Sequence, residues 1–95
     1  MDVDQLEASV EKLHEVFDCT DIEMEWKKVE QKLNEAKYSP GSVRPLADSI
    51  FSLLLAARSE GYKVKAVLAE LDKVAADNLA HRWKRMADGT YQHVD

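Results

Sequence analysis

Ninety-five residues give one small domain, too few for separate cofactor and substrate modules. A net charge of -5, from 18 acidic side chains against 13 Lys and Arg, disfavours binding to duplex nucleic acid, because phosphate-backbone recognition rests on a basic field. With 45% hydrophobic and 33% charged residues but only three Gly and two Pro, the chain has the apolar content to fold and too few turn formers for a sandwich or barrel, which predicts helices.

Val3, Leu6, Val10, Leu13 and Phe17 recur at helical spacing opposite Glu7, Glu11 and Glu15, predicting a first helix over residues 2–17. Thr20 followed by Glu23 has the form of a capping box, so a second helix is expected over 21–37, with Ile22, Trp26, Val29, Leu33 and Ala36 as its apolar stripe. The run Tyr38-Ser39-Pro40-Gly41-Ser42 is the strongest loop signal, and Ser42 is a candidate cap for a third helix over 43–60 with Pro45 in its first turn. That helix is apolar around most of its circumference, through Leu46, Ile50, Phe51, Leu53, Leu54, Leu55 and Ala57, so more than one neighbour must cover it. Gly61 is placed to end it in a left-handed cap. Val64, Val67, Leu68, Leu71, Val74 and Ala75 predict a fourth helix over 64–86, followed by a polar, irregular tail over 87–95. The expectation is thus an all-α, single-domain four-helix bundle completed by a homodimer or a higher homo-oligomer.

Cys19 stands alone, excluding an intramolecular disulfide, and residues 1–10 do not read as a secretory signal, so a cytoplasmic location is expected. The longest apolar run, 50–57, is far shorter than a bilayer span, so no membrane association is expected. Charge is unevenly spread: residues 1–35 carry 11 acidic and 4 basic side chains, residues 63–86 carry 6 basic and 3 acidic. Such a surface suits a divalent cation at one end and an anion at the other, though solvated helix faces alone produce the same pattern.

Asp48 interrupts the most apolar helix and needs a partner, which is either a metal ion in the bundle interior or Arg44 one turn earlier. Glu23 and Glu30 lie seven apart on the second helix with Lys27 between them and Asn34 one turn on, which serves a ligand or a solvated, ion-paired face. His14, His81 and His93 lack zinc spacing, and no phosphate loop or nucleophile elbow occurs.

Over residues 25–94 the chain resembles the MazG-like all-α nucleoside triphosphate pyrophosphohydrolases. The resemblance is carried by Leu46-Ala47-Asp48, the following apolar run from Ile50 to Ala57, Gly61, Asn78-Leu79-Ala80-His81-Arg82-Trp83, and Asp88-Gly89-Thr90-Tyr91-Gln92-His93-Val94. It implies a four-helix fold and hydrolysis of a nucleoside triphosphate to a monophosphate and pyrophosphate. It also implies Mg²⁺ held by a Glu-Glu-x-x-Glu motif on one helix and Glu-x-x-Asp on the next. On this sequence the resemblance makes Glu30 and Asp48 the metal-binding and catalytic carboxylates, and Asn78, Arg82 and Lys84 the nucleotide contacts. Gln31, Asn34 and Pro45 stand where three more glutamates would be, with Glu23 and Glu35 as nearby substitutes. A hard cation held by amide dipoles instead of charges binds less tightly, so the alternative is a non-catalytic relative that binds nucleotides or other proteins.

Overall fold

The computed structural model describes residues 1–17 and 21–94. Its elements are α1 (Val3–Val16), α2 (Ile22–Lys37), α3 (Arg44–Ser59), α4 (Val64–Ala80), β1 (Arg82–Arg85) and β2 (Tyr91–Val94). Asp2 caps α1 in a full capping box: the Gln5 N–H donates to Asp2 Oδ1 at 2.8 Å and the Asp2 N–H to Gln5 Oε1 at 3.0 Å. The cap of α2 is Asp21, whose Oδ1 accepts the Met24 N–H at 2.8 Å; the expected Thr20 cap falls outside the described residues.

Ser42 does not cap α3. It belongs to the turn after Gly41 (φ 87°), where its N–H donates to the Ser39 carbonyl, and Val43 occupies the cap position without a side-chain bond. At the other end Gly61 (φ 101°) closes α3 in a Schellman motif, with Gly61 N–H on the Arg58 carbonyl and Tyr62 N–H on the Ala57 carbonyl, each at 2.9 Å.

The largest departure from expectation is the C-terminus. The fourth helix stops at Ala80 rather than 86, and the tail is a β-hairpin instead of irregular chain. His81 turns extended (φ -75°, ψ 147°), and β1 pairs antiparallel with β2 in the register Arg82↔Val94, Trp83↔His93, Lys84↔Gln92, Arg85↔Tyr91. Among the described residues, 71–80 are all exposed, so burial does not reward extension past Ala80, while pairing of 82–85 with 91–94 across the Asp88-Gly89 turn competes with the helix. Gly89 adopts φ 88°, and Asp88 Oδ1 accepts both the N–H and the hydroxyl of Thr90, which holds the Asp88 carboxyl below the usual range. Trp83 braces the hairpin on the helix end by donating from Nε1 to the Asn78 carbonyl at 2.9 Å, and the His93 ring lies against both His81 and Trp83.

Val10, Leu54, Leu55 and Val64 form the core, flanked by Leu6, Leu13, Phe17, Phe51, Val67 and Leu68. α3 packs against all three other helices, and most extensively against α2. Two of the α1 glutamates expected to face solvent work at the seams instead: Glu11 accepts from Arg58 Nε of α3 at 2.6 Å, and Glu7 accepts the Lys65 N–H at the start of α4 at 3.1 Å. No helix among the described residues is long and apolar enough to cross a membrane.

Leu54→Ala should lower unfolding free energy by about 2–5 kcal/mol, read from urea unfolding followed by circular dichroism. The Arg58 guanidinium holds the Glu11 carboxyl below its ordinary value of 4.5, so this pair's stabilisation is present above that pH and fades as pH falls through the lowered value. The stability gap between the protein and Arg58→Gln should therefore be widest at neutral pH and narrow in acid.

Candidate functional site

α2 buries one stripe against α3, with Glu25 and Val29 at its centre, and this fixes what the opposite stripe can do. Lys27, Glu30, Gln31, Asn34, Glu35 and Tyr38 follow at helical spacing on the outward side and, with Ser39, line an open hollow of about 700 Å³. Side-chain oxygens of several kinds meet there: the Glu30 and Glu35 carboxylates, the Gln31 and Asn34 amides, and the Tyr38 and Ser39 hydroxyls. Glu35 is tethered to Lys32 at 3.4 Å, and Lys27 supplies a cation to the same hollow. Glu23 does not line it.

Asp48 lies elsewhere. It lines a second, more apolar hollow of about 460 Å³ with Met1, Leu6, Arg44, Ala47, Ile50, Phe51 and Leu54, and its Oδ1 sits 3.5 Å from Arg44 Nε. Arg44, one of the two partners expected from sequence, thus lies within ion-pair distance of Asp48. Glu30 and Asp48 do not share a hollow within one protomer. The Arg44–Asp48 contact is a surface pair, with Arg44 86% and Asp48 35% exposed, and such i,i+4 pairs contribute only about 0.3–0.5 kcal/mol.

The expected nucleotide contacts lie at the far end of α4. Asn78 is in its last turn with the backbone carbonyl occupied by Trp83, and Arg82 and Lys84 share one face of β1, beside Val94 and Gln92 of the paired strand. The hairpin does not pack to any substantial extent on α2 among the described residues, so these three side chains are not joined to the α2 hollow in one protomer. Sequence reasoning singled out Glu30, Gln31 and Asn34 and named Glu35 only as a substitute on a different face, whereas Glu35 lines the same hollow as Glu30, and it passed over Tyr38. The i, i+3, i+4, i+7, i+8 recurrence from Lys27 was the signal that could have found them.

No group of three or more His, Cys, Asp or Glu arranged to hold a metal occurs among the described residues. The α2 hollow nevertheless suits a single hard cation delivered with a polyphosphate, since Mg²⁺ commonly takes one or two protein carboxylates and completes its shell with water and substrate oxygens. It does not suit a preassembled cluster of several ions, for which two carboxylates and two neutral amides carry too little charge.

No family model and no curated protein matches the sequence. Among solved structures, the MazG-like pyrophosphohydrolase of cyanophage S-2L, bound to dGDP and three catalytic Mn²⁺ ions per active site, aligns with 100% of this chain and 99% of its own. The TM-score is 0.75 at 21% sequence identity. This chain has the MazG-like all-α fold. The likeness reaches from α1 to the hairpin, so the whole architecture is shared and not the bundle alone.

The MazG-like fold with an amide-bearing α2 face makes a direct prediction. The double variant Gln31→Glu/Asn34→Glu should bind Mn²⁺ in the absence of nucleotide at least about tenfold more tightly than the unaltered protein, measured by calorimetry.

Proposed function

We propose that this protein is a MazG-like nucleoside triphosphate pyrophosphohydrolase that takes its substrate as a complex with a divalent cation, Mg²⁺ or Mn²⁺. The observation that carries the reading is the chain-long likeness in fold to a protein bound to dGDP and Mn²⁺; an exposed α2 carboxylate, Glu30, where the sequence resemblance puts a metal ligand, supports it. When bound, a divalent cation neutralises the polyphosphate and makes water a stronger nucleophile at neutral pH.

The chain's own groups would contribute as follows. Glu30 offers an exposed carboxylate in the α2 hollow, with the Gln31 and Asn34 carbonyl oxygens beside it as neutral donors. Lys27, in the same hollow, can donate to phosphate oxygens. Asp48 is the carboxylate supplied by α3, and exchanging its weak Arg44 contact for substrate-borne charge costs little. Asn78, Arg82 and Lys84 are the proposed nucleotide contacts, Arg82 and Lys84 as charge-assisted donors to phosphate. The protein acts as a homodimer, because Leu46, Ile50 and Leu53 of α3 remain exposed in one copy.

A second reading, a non-catalytic relative that binds nucleotides or proteins, is favoured by Gln31, Asn34 and Pro45 standing where carboxylates would be and by the separation of Glu30 from Asp48. One assay separates the two: pyrophosphate release from a panel of ordinary and damaged nucleoside triphosphates with Mg²⁺ or Mn²⁺. The enzymatic reading expects turnover that falls by about a hundredfold or more in Glu30→Gln and in Asp48→Ala, the scale of losing a few kcal/mol of charge stabilisation. Nucleotide binding without turnover above the Asp48→Ala background would establish the second.

A further inference from the structure

The change from helix to hairpin after Ala80 joins two residues that the linear sequence keeps apart. His81 ends α4, and the return strand β2 carries His93 back to it, so that the two imidazole rings lie with centroids 4.6 Å apart and planes tilted by 39°. His81 is half-buried and His93 exposed, so solvent reaches both. His14, the third histidine of the chain, is in the last turn of α1.

The backbone under each ring is anchored. The His81 N–H donates to the Asp77 carbonyl at 3.1 Å, and Trp83, the ladder partner of His93, donates from Nε1 to the Asn78 carbonyl at 2.9 Å. At the far end the hairpin is closed by Gly89 N–H on the Met86 carbonyl at 3.0 Å. Bringing both rings to one ion therefore costs little beyond side-chain torsions, and once one imidazole has bound the ion the second binds intramolecularly. The spacing suits this: two imidazoles side by side on one ion, at a metal–nitrogen distance of about 2.0–2.1 Å, hold their centroids about 4.5–5 Å apart.

The chemistry of the pair differs from that of the α2 hollow. Neutral imidazole nitrogen suits Zn²⁺, Ni²⁺ and Cu²⁺, whereas Mg²⁺ and Mn²⁺ favour carboxylate, carbonyl and water oxygen. Strand alternation puts Trp83, Arg85, Tyr91 and His93 on one face of the hairpin and Arg82, Lys84, Gln92 and Val94 on the other. Of the three hairpin cations, only Arg85 shares the histidine face, at the end toward the turn, and its charge opposes any cation bound there. The ion is thus held by ligand type and not by a negative field.

We propose that His81 and His93 form a site for one imidazole-preferring divalent ion of the Zn²⁺ or Ni²⁺ kind, with water in the remaining coordination positions. The ion clips the end of α4 to β2 and stabilises the hairpin according to how fully the site is occupied. With two protein ligands the site is open and exchangeable, unlike the four-ligand zinc centres on which small domains depend for folding.

Calorimetric titration of the untagged full chain with Ni²⁺, in excess Mg²⁺ to occupy oxygen-lined sites, tests the proposal. One ion should bind per chain, at least about tenfold more weakly in His81→Ala and in His93→Ala and unchanged in His14→Ala. Zn²⁺ should compete for the same site and Mg²⁺ should not. Should either alanine variant lose the hairpin, as judged from near-ultraviolet circular dichroism without metal, nuclear magnetic resonance of the unaltered chain decides instead. Ni²⁺ below one equivalent should broaden the ring protons of His81 and His93 together and spare those of His14. Loss of affinity in only one of the two variants, equal broadening of His14, one ion per two chains, displacement by Mg²⁺, or no Ni²⁺ binding at all overturns the site.

Discussion

The packing of α3 at the centre of the bundle is the constraint from which the rest follows. It touches α1, α2 and α4, it contributes Leu54 and Leu55 to the core, and its Ser49 is buried with the hydroxyl donating to the Pro45 carbonyl. A helix that must meet three neighbours has to be apolar over most of its surface, and the sequence from Ile50 to Ala57 meets that demand. The surrounding helices are then free to be amphipathic and charged. Their seams are finished by polar contacts from α1, where Glu11 on Arg58 and Glu7 on the start of α4 tie the first helix to the third and fourth.

This arrangement decides where a ligand can act. α2 is held mainly from one side, with Val29 and the whole Glu25 side chain buried and Lys28 at 3.9 Å from the Glu25 carboxylate, so its outer stripe from Lys27 to Tyr38 is left open over three turns. Asp48, one turn into α3, lines a hollow with Met1 and Leu6 whose floor is apolar. The two carboxylates singled out by the family motif thus belong to neighbouring helices and to different concavities. The basic residues are further off, on a hairpin that stands clear of the bundle.

Much of the fold was legible because burial imposes a period on the sequence. The four helices, the Tyr38–Ser42 loop and the Gly61 cap all rest on local signals of hydrophobic spacing or backbone conformation. The hairpin was not legible as such. His81-Arg82-Trp83-Lys84-Arg85 has no apolar period of its own, and the preceding stripe through Leu71 and Val74 argued for continuing the helix. What replaces it is the pairing of Arg82–Arg85 with Tyr91–Val94, a contact between separate segments that no helical stripe announces. Likewise the roles of Glu7 and Glu11 depend on which helices come alongside α1, and no pattern within α1 distinguishes a seam glutamate from a solvated one. At the candidate site the residue types could be placed on a helix face, but whether Glu30 and Asp48 open into the same hollow is a matter of helix rotation, which spacing within each helix does not set.

The amides on α2 also have a cost that can be reasoned through. A face bearing glutamates at positions 30, 31 and 34, with Glu35 adjacent and Glu23 on the same helix, would gather like charges within two turns, and such repulsion destabilises a helix until cations neutralise it. Gln31 and Asn34 avoid that repulsion while keeping side-chain oxygen acceptors on the same face. The same exchange weakens the hold on any cation that arrives alone, because a dipole replaces a charge. Under the proposed function, such a site would take metal and polyphosphate together, the ligand bringing the negative charge that the α2 face lacks.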